Sequence, residues 1–158
     1  MRRSLLVAGV HALLVLAVWG NYEWEKQTLP RAWTKTGPFD PYDLLRGRYV
    51  RLALFARGDA SVLAEKGYQF QGQVFSENGQ LHIRKADCCQ LFSLAVAHPG
   101  YVRLQAPVSF FISQAVEDPS NLKQGDELWV ELSIPAKGPP RPLHLARKTK
   151  DGTWIPLH

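Results

Sequence analysis

The side chains best suited to chemistry in this chain are its histidines and its pair of cysteines. His82, Cys88, Cys89, His98 and His144 are residue types that bind Zn²⁺, but no two of them have the spacing of a metal motif such as Cys-x-x-Cys. The sequence contains neither a Gly-x-Ser-x-Gly nucleophile elbow nor a glycine-rich phosphate loop. It therefore predicts no cofactor and no metal site, and it favours a protein that is not an enzyme.

Redox chemistry is the remaining possibility for the two cysteines. Cys88 and Cys89 are adjacent, so on an extended strand their side chains point to opposite faces. A disulfide between them requires a strained peptide geometry. In an oxidising compartment, pairing with a second molecule or transient redox chemistry is the alternative to two unpaired thiols. The sequence leaves these alternatives open.

The N-terminal segment is long and apolar enough to cross a membrane. Residues 4–22 carry no formal charge, and as a helix they would extend about 28 Å, close to the thickness of the hydrocarbon core of a bilayer. Arg2 and Arg3 predict a cytoplasmic start, while Trp19 and Tyr22 suit the opposite interface. A cleaved signal peptide is the alternative, but a tryptophan stands where the chain would be cut, which favours retention.

His11 lies in the middle of this apolar segment. A polar ring is costly in hydrocarbon, and the favoured interpretation is a hydrogen bond of His11 within its own helix or to incidental water. Contact of His11 with a partner helix is the alternative.

The chain is predicted to have three parts. Residues 1–26 form the cytoplasmic start and the membrane anchor, and residues 27–38 are polar and interrupted by prolines and a glycine, which is typical of a tether. Residues 39–158 form one exported domain, periplasmic in a bacterium. The net charge of +5 comes mostly from scattered basic residues, which argues against nucleic acid as a partner and favours anionic lipid.

A stretch rich in turn-forming residues, PFDPYDLLRGRYVRL, is predicted to open the exported domain. Asp40 can cap a short helix, Pro41 suits its first position, Asp43 can bond the backbone donors of the first turn, and Gly47 suits its end. The stretch predicts a single capped turn followed by a strand over residues 48–56.

Alternation of apolar and polar residues predicts that most of the exported domain is strand. A hairpin is predicted on either side of Asn78-Gly79, the pair best suited to a tight primed turn, and a second chain reversal is predicted at Asp151-Gly152. Short helices are predicted near residues 59–66 and 118–122. The fold class is mainly β, a small antiparallel barrel or sandwich of about seven or eight strands behind one N-terminal transmembrane helix.

One enzymatic alternative involves hydroxyl side chains near the membrane. An extended basic stretch, GRYVRL, in a membrane-anchored β domain looks somewhat like the bacterial signal peptidases, which use a serine and a lysine. The serine element of that family is missing, and only Thr34 or Thr36 could replace it. Ser61 and Lys66 lie in the wrong region of the chain, so this alternative is the least favoured.

The residues DPYDLLRGRYVRLAL also carry a resemblance to a bacterial family. They are similar to the signature of the GDYXXLXY protein family, whose members have an N-terminal membrane helix before such a segment. Arg48 and Leu54 depart from the signature, and Tyr49 and Leu52 lie on opposite strand faces, which allows one core residue and one contact residue. The resemblance implies an exported, membrane-anchored domain of unsettled activity, often encoded beside multi-pass membrane proteins. The matching residues are Asp40, Pro41, Asp43, Leu44, Arg46, Gly47, Tyr49 and Leu52.

Two functions are favoured over the enzymatic one. The leading hypothesis is a non-catalytic accessory or assembly subunit of a larger multi-pass membrane protein in a bacterial inner membrane. The alternative is a periplasmic binding module for a small ligand or an envelope polymer, which uses exposed aromatic residues such as Trp129 and Trp154. The expected partners are therefore membrane lipid and a multi-pass membrane protein.

Overall fold

A computed structural model describes residues 2–40, 49–63, 69–87, 90–94, 100–112, 119 and 121–157. A long N-terminal helix, α1, is followed by a domain of strands with one short helix, α2. The mainly β fold class with one N-terminal apolar helix is confirmed, and the described residues contain more strands than predicted. The elements are α1 (Arg2–Thr28), β1 (Arg31–Asp40), β2 (Tyr49–Gly58), α2 (Ala60–Leu63), β3 (Gln69–Glu77), β4 (Gln80–Lys85), β5 (Gln90–Leu94), β6 (Tyr101–Leu104), β7 (Val108–Phe111), β8 (Glu127–Ser133), β9 (Arg141–Lys148) and β10 (Trp154–Leu157).

The strands belong to one sheet, in the order β10-β9-β8-β1-β4-β3-β5-β6-β2-β7. Two additional pairings, β1–β2 and β4–β2, fold this sheet back on itself. As a result β2, β6, β5, β3 and β4 are joined in a ring, in which only the β2–β4 contact is parallel. The strands β1, β8, β9 and β10 extend from the ring as an antiparallel wing.

The helix α1 contains the one candidate membrane span found among the described residues. The span covers Leu6–Thr28, and none of its most apolar stretch is buried against the rest of the protein. By length and composition it can cross a bilayer once.

The predicted tether over residues 27–38 is wrong. The helix α1 continues through Thr28, and the chain enters β1 at Arg31. Strand β1 pairs with β8 along one side and with β2 along the other, so it lies inside the sheet. The folded domain therefore begins at residue 31 and not at residue 39.

The threonines of β1 explain why this polar segment forms an internal strand. Thr34 and Thr36 are buried, and both hydroxyls donate hydrogen bonds to backbone carbonyls of β2. The bond from Thr36 Oγ1 to Ala53 O is 2.8 Å long, and Thr34 Oγ1 bonds Phe55 O. Because a buried hydroxyl is tolerated when it is bonded, and because threonine favours strands, the segment is stable in the sheet.

Alternating side chains of the strands form the core. On β8, for example, Leu128, Val130 and Leu132 are almost fully buried while Trp129 and Glu131 face outward. Each buried leucine stabilises the fold by about 1.5–3 kcal/mol relative to an exposed one. The largest fully buried side chains are Leu52, Leu54, Ile83, Leu128, Leu132 and Leu145.

The hairpin predicted at Asn78-Gly79 is confirmed. Strands β3 and β4 pair in register up to Glu77 and Gln80, and the two residues between them have φ of 51° and 72°. Positive φ at both central positions is the signature of a type I′ turn, which matches the twist of the flanking strands.

Other local predictions have mixed outcomes. The short helix predicted near residues 59–66 is present as α2, although residues 64–68 lie outside the described part of the chain. In the predicted segment 118–122, the described residues 119, 121 and 122 are not helical. The predicted capped turn lies largely outside the described residues, because residues 41–48 are not described and Asp40 ends β1.

Candidate binding site

Three tryptophans from three different strands meet on the outer face of the wing. The Trp33 and Trp154 ring centroids are 5.2 Å apart with the ring planes at 73°, an edge-to-face arrangement. The Trp129 and Trp154 ring centroids are 5.5 Å apart, with the ring planes at 58°. Such aromatic pairs stabilise their arrangement by about 0.5–1.5 kcal/mol beyond the burial of their area. Contact between them also holds each ring in place in the absence of a ligand.

The register of the wing places small and large residues side by side. Trp129 on β8 is opposite Ala146 on β9, which is in turn opposite Pro156 on β10. The methyl group of Ala146 leaves space between the larger rings on either side. The three tryptophans therefore surround an open depression, which we call the tryptophan cleft.

The tryptophan cleft has a volume of about 540 Å³, within the range typical of ligand pockets. Most of its surface is apolar, and the tip of the β3–β4 hairpin closes one side with polar side chains and backbone. Its lining residues are Trp33, Asn78, Gly79, Gln80, Trp129, Ala146, Lys148, Trp154 and Pro156.

Lys148 supplies the positive charge of the tryptophan cleft. Its Nζ lies 5.6 Å from the ring centroid of Trp129 and 5.6 Å from that of Trp154. Both distances are within the range of a cation–π interaction. The charge of Lys148 also acts on the neighbouring Glu127 carboxylate, which is opposite Lys148 in the β8–β9 register.

Glu127 bonds one of the tryptophans that line the cleft. Its Oε2 accepts a hydrogen bond from Trp129 Nε1 at 2.9 Å, and its Oε1 accepts one from Lys35 Nζ at 2.8 Å. The bond from Lys35 is the largest influence on the pKa of Glu127, which lies below its usual value. The bond from Trp129 and the charges of Lys35 and Lys148 also lower this pKa, while partial burial opposes them. Glu127 is therefore a structural carboxylate that stays ionised at neutral pH.

The end of α1 is attached to the same wing. Arg141 Nη1 at the start of β9 forms an ion pair with Glu25 Oε2 at 2.7 Å, and its guanidinium lies 5.9 Å from the Tyr22 ring centroid. A backbone bond from Ile134 N to Pro30 O, 2.9 Å long, adds to this attachment. We call this set of contacts the helix junction.

The predicted residues in α1 and in the family-like stretch have different outcomes. His11 Nδ1 lies 2.9 Å from Val7 O, so the ring bonds within its own helix, as the favoured interpretation predicts. Leu52 is a core residue with 0% exposure. Tyr49 opens β2 opposite Phe111, and Asp40 ends β1 opposite Arg51. Outside the described residues lie Pro41, Asp43, Arg46 and Gly47, together with Cys88, Cys89 and His98.

The histidines and threonines singled out for chemistry have structural partners. His82 Nδ1 lies 3.4 Å from Glu77 Oε2, and His144 Nδ1 lies 2.6 Å from Glu131 Oε2. Within the described ranges no group of three metal-binding side chains is close enough to hold an ion. Thr34 and Thr36 are buried with their hydroxyls bonded to β2, which removes them from contact with any substrate.

The sequence singled out two of the three cleft tryptophans. Trp129 and Trp154 were expected to be exposed and to bind, and both line the cleft. Trp33 was missed because its segment was assigned to a tether. The signal that could have found it is the alternation of Ala32, Thr34 and Thr36 with Trp33 and Lys35, which is that of a strand with one outward aromatic face.

Comparisons of the chain with protein-family models, with curated proteins and with solved structures found no match. The similarity of residues 40–54 to the GDYXXLXY signature therefore stays a prediction. The functional assignment rests on the geometry of the tryptophan cleft and on the helix that precedes it.

Proposed function

We propose that this protein is a membrane-anchored binding module whose tryptophan cleft binds a small ligand or one unit of an envelope polymer. The observation that carries the proposal is the convergence of Trp33, Trp129 and Trp154 on one open cleft of about 540 Å³. Exposed aromatic surface is unfavourable in water, and a ligand that covers it gains that free energy. The proposal requires no catalytic step.

The lining of the cleft indicates the kind of ligand. Indole rings contact the apolar surface of a ligand, and the side-chain amides of Asn78 and Gln80 can both donate and accept hydrogen bonds. The ammonium of Lys148 attracts an anionic group and repels a cationic one. The ligand is therefore a compact group with an apolar surface and a neutral or negative charge.

The module is held in the inner membrane of a bacterium by α1, with its N-terminus in the cytoplasm and residues 31–158 in the periplasm. The length and apolar character of Leu6–Thr28 support the anchor, and the arginines at positions 2 and 3 support the orientation. An alkaline phosphatase fused after residue 158 should be active in a bacterial host. Green fluorescent protein fused at the same position should stay dark when it is exported by this route. Fluorescence of that fusion would contradict the orientation.

Binding can be tested on the full-length chain in mild detergent. Envelope saccharides and small anionic metabolites are titrated while the tryptophan emission is recorded, and hits are measured by calorimetry. We expect Trp154→Ala to weaken binding at least tenfold, because it removes one wall of the cleft, and Trp154→Phe to retain most of it. Trp24→Ala is the matched control, since Trp24 is an exposed tryptophan on α1 that does not line the cleft.

Two results would count against a binding function of the cleft. One is a screen in which no ligand changes either the emission or the unfolding temperature of the protein. The other is a ligand whose affinity is unchanged by Trp154→Ala and by Ala146→Leu, a variant that fills the space between the rings.

A second candidate function is that of an accessory subunit of a multi-pass membrane protein. The observation that favours it is the exposed ring of His11, which lies inside the candidate span and near the middle of the uncharged run of residues 4–22. Nδ1 bonds Val7 O, while Nε2 has no hydrogen-bond partner among the described residues. In hydrocarbon, a polar atom without a partner favours contact with a second helix.

Affinity purification from native membranes tests this second function. A multi-pass protein should copurify in stoichiometric amount with the wild-type chain and with Val15→Ala, a control on the same helix. His11→Leu should reduce the recovered partner, because it removes the polar contact. Recovery of the chain alone from native membranes would leave only the binding module.

A further inference from the structure

The outer face of β4 leads away from the tryptophan cleft. Gln80, His82 and Arg84 alternate with buried residues, so their side chains share the outer face of the strand. Gln80 lines the cleft and is opposite Trp33 in the β1–β4 register. Because two residues of a strand extend about 7 Å, this face continues for about 13 Å from Gln80 to Arg84. Gln80 therefore belongs both to the cleft and to the outer face of β4.

Two exposed arginines lie on this face. Arg57 on β2 is opposite His82 on β4, so the two side chains point to the same side of the sheet. The guanidinium of Arg84 lies 5.7 Å from the ring centroid of Phe75 on β3 and donates a hydrogen bond of 2.8 Å to Gln73 Oε1. These contacts hold the cation in place at the surface. We call the outer face formed by Gln80, His82, Arg84 and Arg57 the arginine strip.

The arginine strip extends the positive charge of the cleft. Lys148 supplies a cation inside the cleft, and Arg57 and Arg84 supply two more outside it. The carboxylate of Glu77 lies on β3, 3.4 Å from His82 Nδ1, and β4 separates it from Arg57. A ligand that leaves the cleft along the outer face of β4 therefore meets further cations, which attract negative charge.

The neutral side chains of this surface favour a hydroxylated ligand over a nucleic acid. Amide groups are present at Gln80 in the cleft and at Gln73 on β3. An amide can both donate and accept hydrogen bonds, as the hydroxyl groups of a sugar do. The ring of Phe75 is in contact with His82, at a centroid distance of 5.8 Å, and with the guanidinium of Arg84. Such contacts compete with base stacking, the interaction on which single-stranded nucleic acids depend.

From these observations we infer that the tryptophan cleft binds one unit of an acidic polysaccharide and that the neighbouring units lie along the arginine strip. The inference rests on the proposed function and names the ligand class of the same cleft. The sugar ring of the first unit contacts the indoles, and its carboxylate pairs with Lys148. The carboxylates of the next units pair with Arg57 and Arg84, while Gln80 bonds hydroxyl groups between them.

The test compares a short and a long acidic saccharide on the full-length chain in mild, uncharged detergent. Galacturonate serves as the single unit and a galacturonate hexamer as the polymer, and both are titrated by calorimetry. At a salt concentration of about 0.15 M the Debye length is about 8 Å, so charges away from the bound chain are screened. We expect the hexamer to bind about tenfold more tightly than the single unit, because its further units bind on the same chain. A neutral hexamer of glucose should bind more weakly than the acidic hexamer.

Two paired variants separate the arginine strip from general attraction. Arg57→Gln combined with Arg84→Gln should weaken hexamer binding about tenfold and leave the affinity for the single unit unchanged. Lys123→Gln combined with Lys137→Gln removes the same charge from exposed loop positions and should leave both affinities unchanged. Circular dichroism confirms that each variant is folded. Equal losses in the two paired variants, or a hexamer that binds no more tightly than the single unit, would overturn the inference.

The remaining arms separate the inference from the proposed function. Trp154→Ala should weaken both saccharides, because it removes one wall of the cleft. If it weakens the single unit while the arginine pair leaves hexamer binding unchanged, the binding module stands and the inference fails. Equal binding of the neutral hexamer would overturn the acidic class, and tighter binding of a single-stranded DNA of equal charge would overturn the saccharide. If no saccharide binds, the inference fails, and the wider ligand screen alone decides the proposed function.

Discussion

Trp129 Nε1 donates a hydrogen bond of 2.9 Å to Glu127 Oε2. The two residues are two positions apart on β8, so their side chains lie on the same face of the strand. The other carboxylate oxygen accepts a bond from Lys35 Nζ on the neighbouring strand β1. One charged group thus orients a cleft tryptophan and connects two strands of the wing. The shape of the tryptophan cleft depends on this carboxylate as well as on ring packing.

Substitution of Glu127 should separate these two roles. Glu127→Gln keeps an acceptor for Trp129 but loses the ion pair with Lys35, whereas Glu127→Leu loses both bonds. We expect Glu127→Leu to lower the free energy of unfolding by about 1–2 kcal/mol and Glu127→Gln by less than half of that. Urea unfolding followed by circular dichroism measures both. Equal effects would mean that the bond to Trp129 contributes nothing.

The stability that Glu127 provides should disappear in acid. Its pKa in the folded protein lies below the ordinary value of 4.5, so the folded chain binds a proton less readily than the unfolded chain. Its contribution is therefore complete above pH 5 or so and decreases as the pH falls through the folded pKa. The wild type should lose more stability than Glu127→Gln between about pH 5 and pH 3. Parallel pH profiles of the two proteins would contradict this assignment.

Gly72 in β3 should not tolerate a side chain. A Cβ at this position would lie 2.9 Å from the carbonyl oxygen of Arg84 and 2.9 Å from Cδ1 of Ile83. Because the carbonyl belongs to the paired strand β4 and cannot move away, Gly72→Ala should destabilise the protein by about 2–3 kcal/mol. Gly79→Ala is the comparison, because a Cβ added at Gly79 would meet no atom within 4 Å. Its only cost is the strain of an alanine at positive φ, which should lower the free energy of unfolding by about 1 kcal/mol. Thermal unfolding that ranks Gly79→Ala as the worse variant would refute the prediction.

Thr36 should matter for stability and not for reactivity. Thr36→Val keeps the shape of the side chain but leaves Ala53 O without its bond, which should cost about 1–2 kcal/mol in unfolding free energy. Thr36→Ser retains a hydroxyl that can bond Ala53 O, so the hydrogen bond should cost less unfolding free energy in this variant than in Thr36→Val. Chemical denaturation of both variants provides the comparison. A Thr36→Val protein of wild-type stability that had lost a measurable peptidase activity would revive the enzymatic alternative.

The helix junction should hold the domain at a defined angle to α1. Arg141→Met removes the ion pair with Glu25 and the contact with Tyr22, while it keeps an unbranched side chain. Spin labels at Val15 and Thr153, measured in nanodiscs by pulsed electron resonance, should then give a broader distance distribution than in the wild type. Lys137→Met, an exposed change in the loop before β9, should give the wild-type distribution. A distribution that does not broaden in Arg141→Met would show that the backbone contacts alone fix the angle.

Features set by neighbouring residues could be predicted from the sequence. Asn78-Gly79 can adopt two consecutive positive φ values at little cost, so the β3–β4 hairpin was predictable where it occurs. Strand β2 was predictable because its apolar residues alternate, and α1 because its apolar run is long enough for a bilayer. These features need no information about distant parts of the chain.

The position of β1 and the tryptophan cleft depended on the tertiary structure. Thr34 and Thr36 suit burial only because carbonyls of β2 accept their hydrogen bonds, and no local pattern contains those acceptors. Trp33, Trp129 and Trp154 converge because the order and register of β1, β8, β9 and β10 place them on one face. The sequence by itself determined the local turns, the strands with alternating apolar and polar residues, and the apolar helix, since these follow from backbone preference and periodicity. Only tertiary pairing decided the site, because strand order and register arise from contacts between residues far apart in the chain.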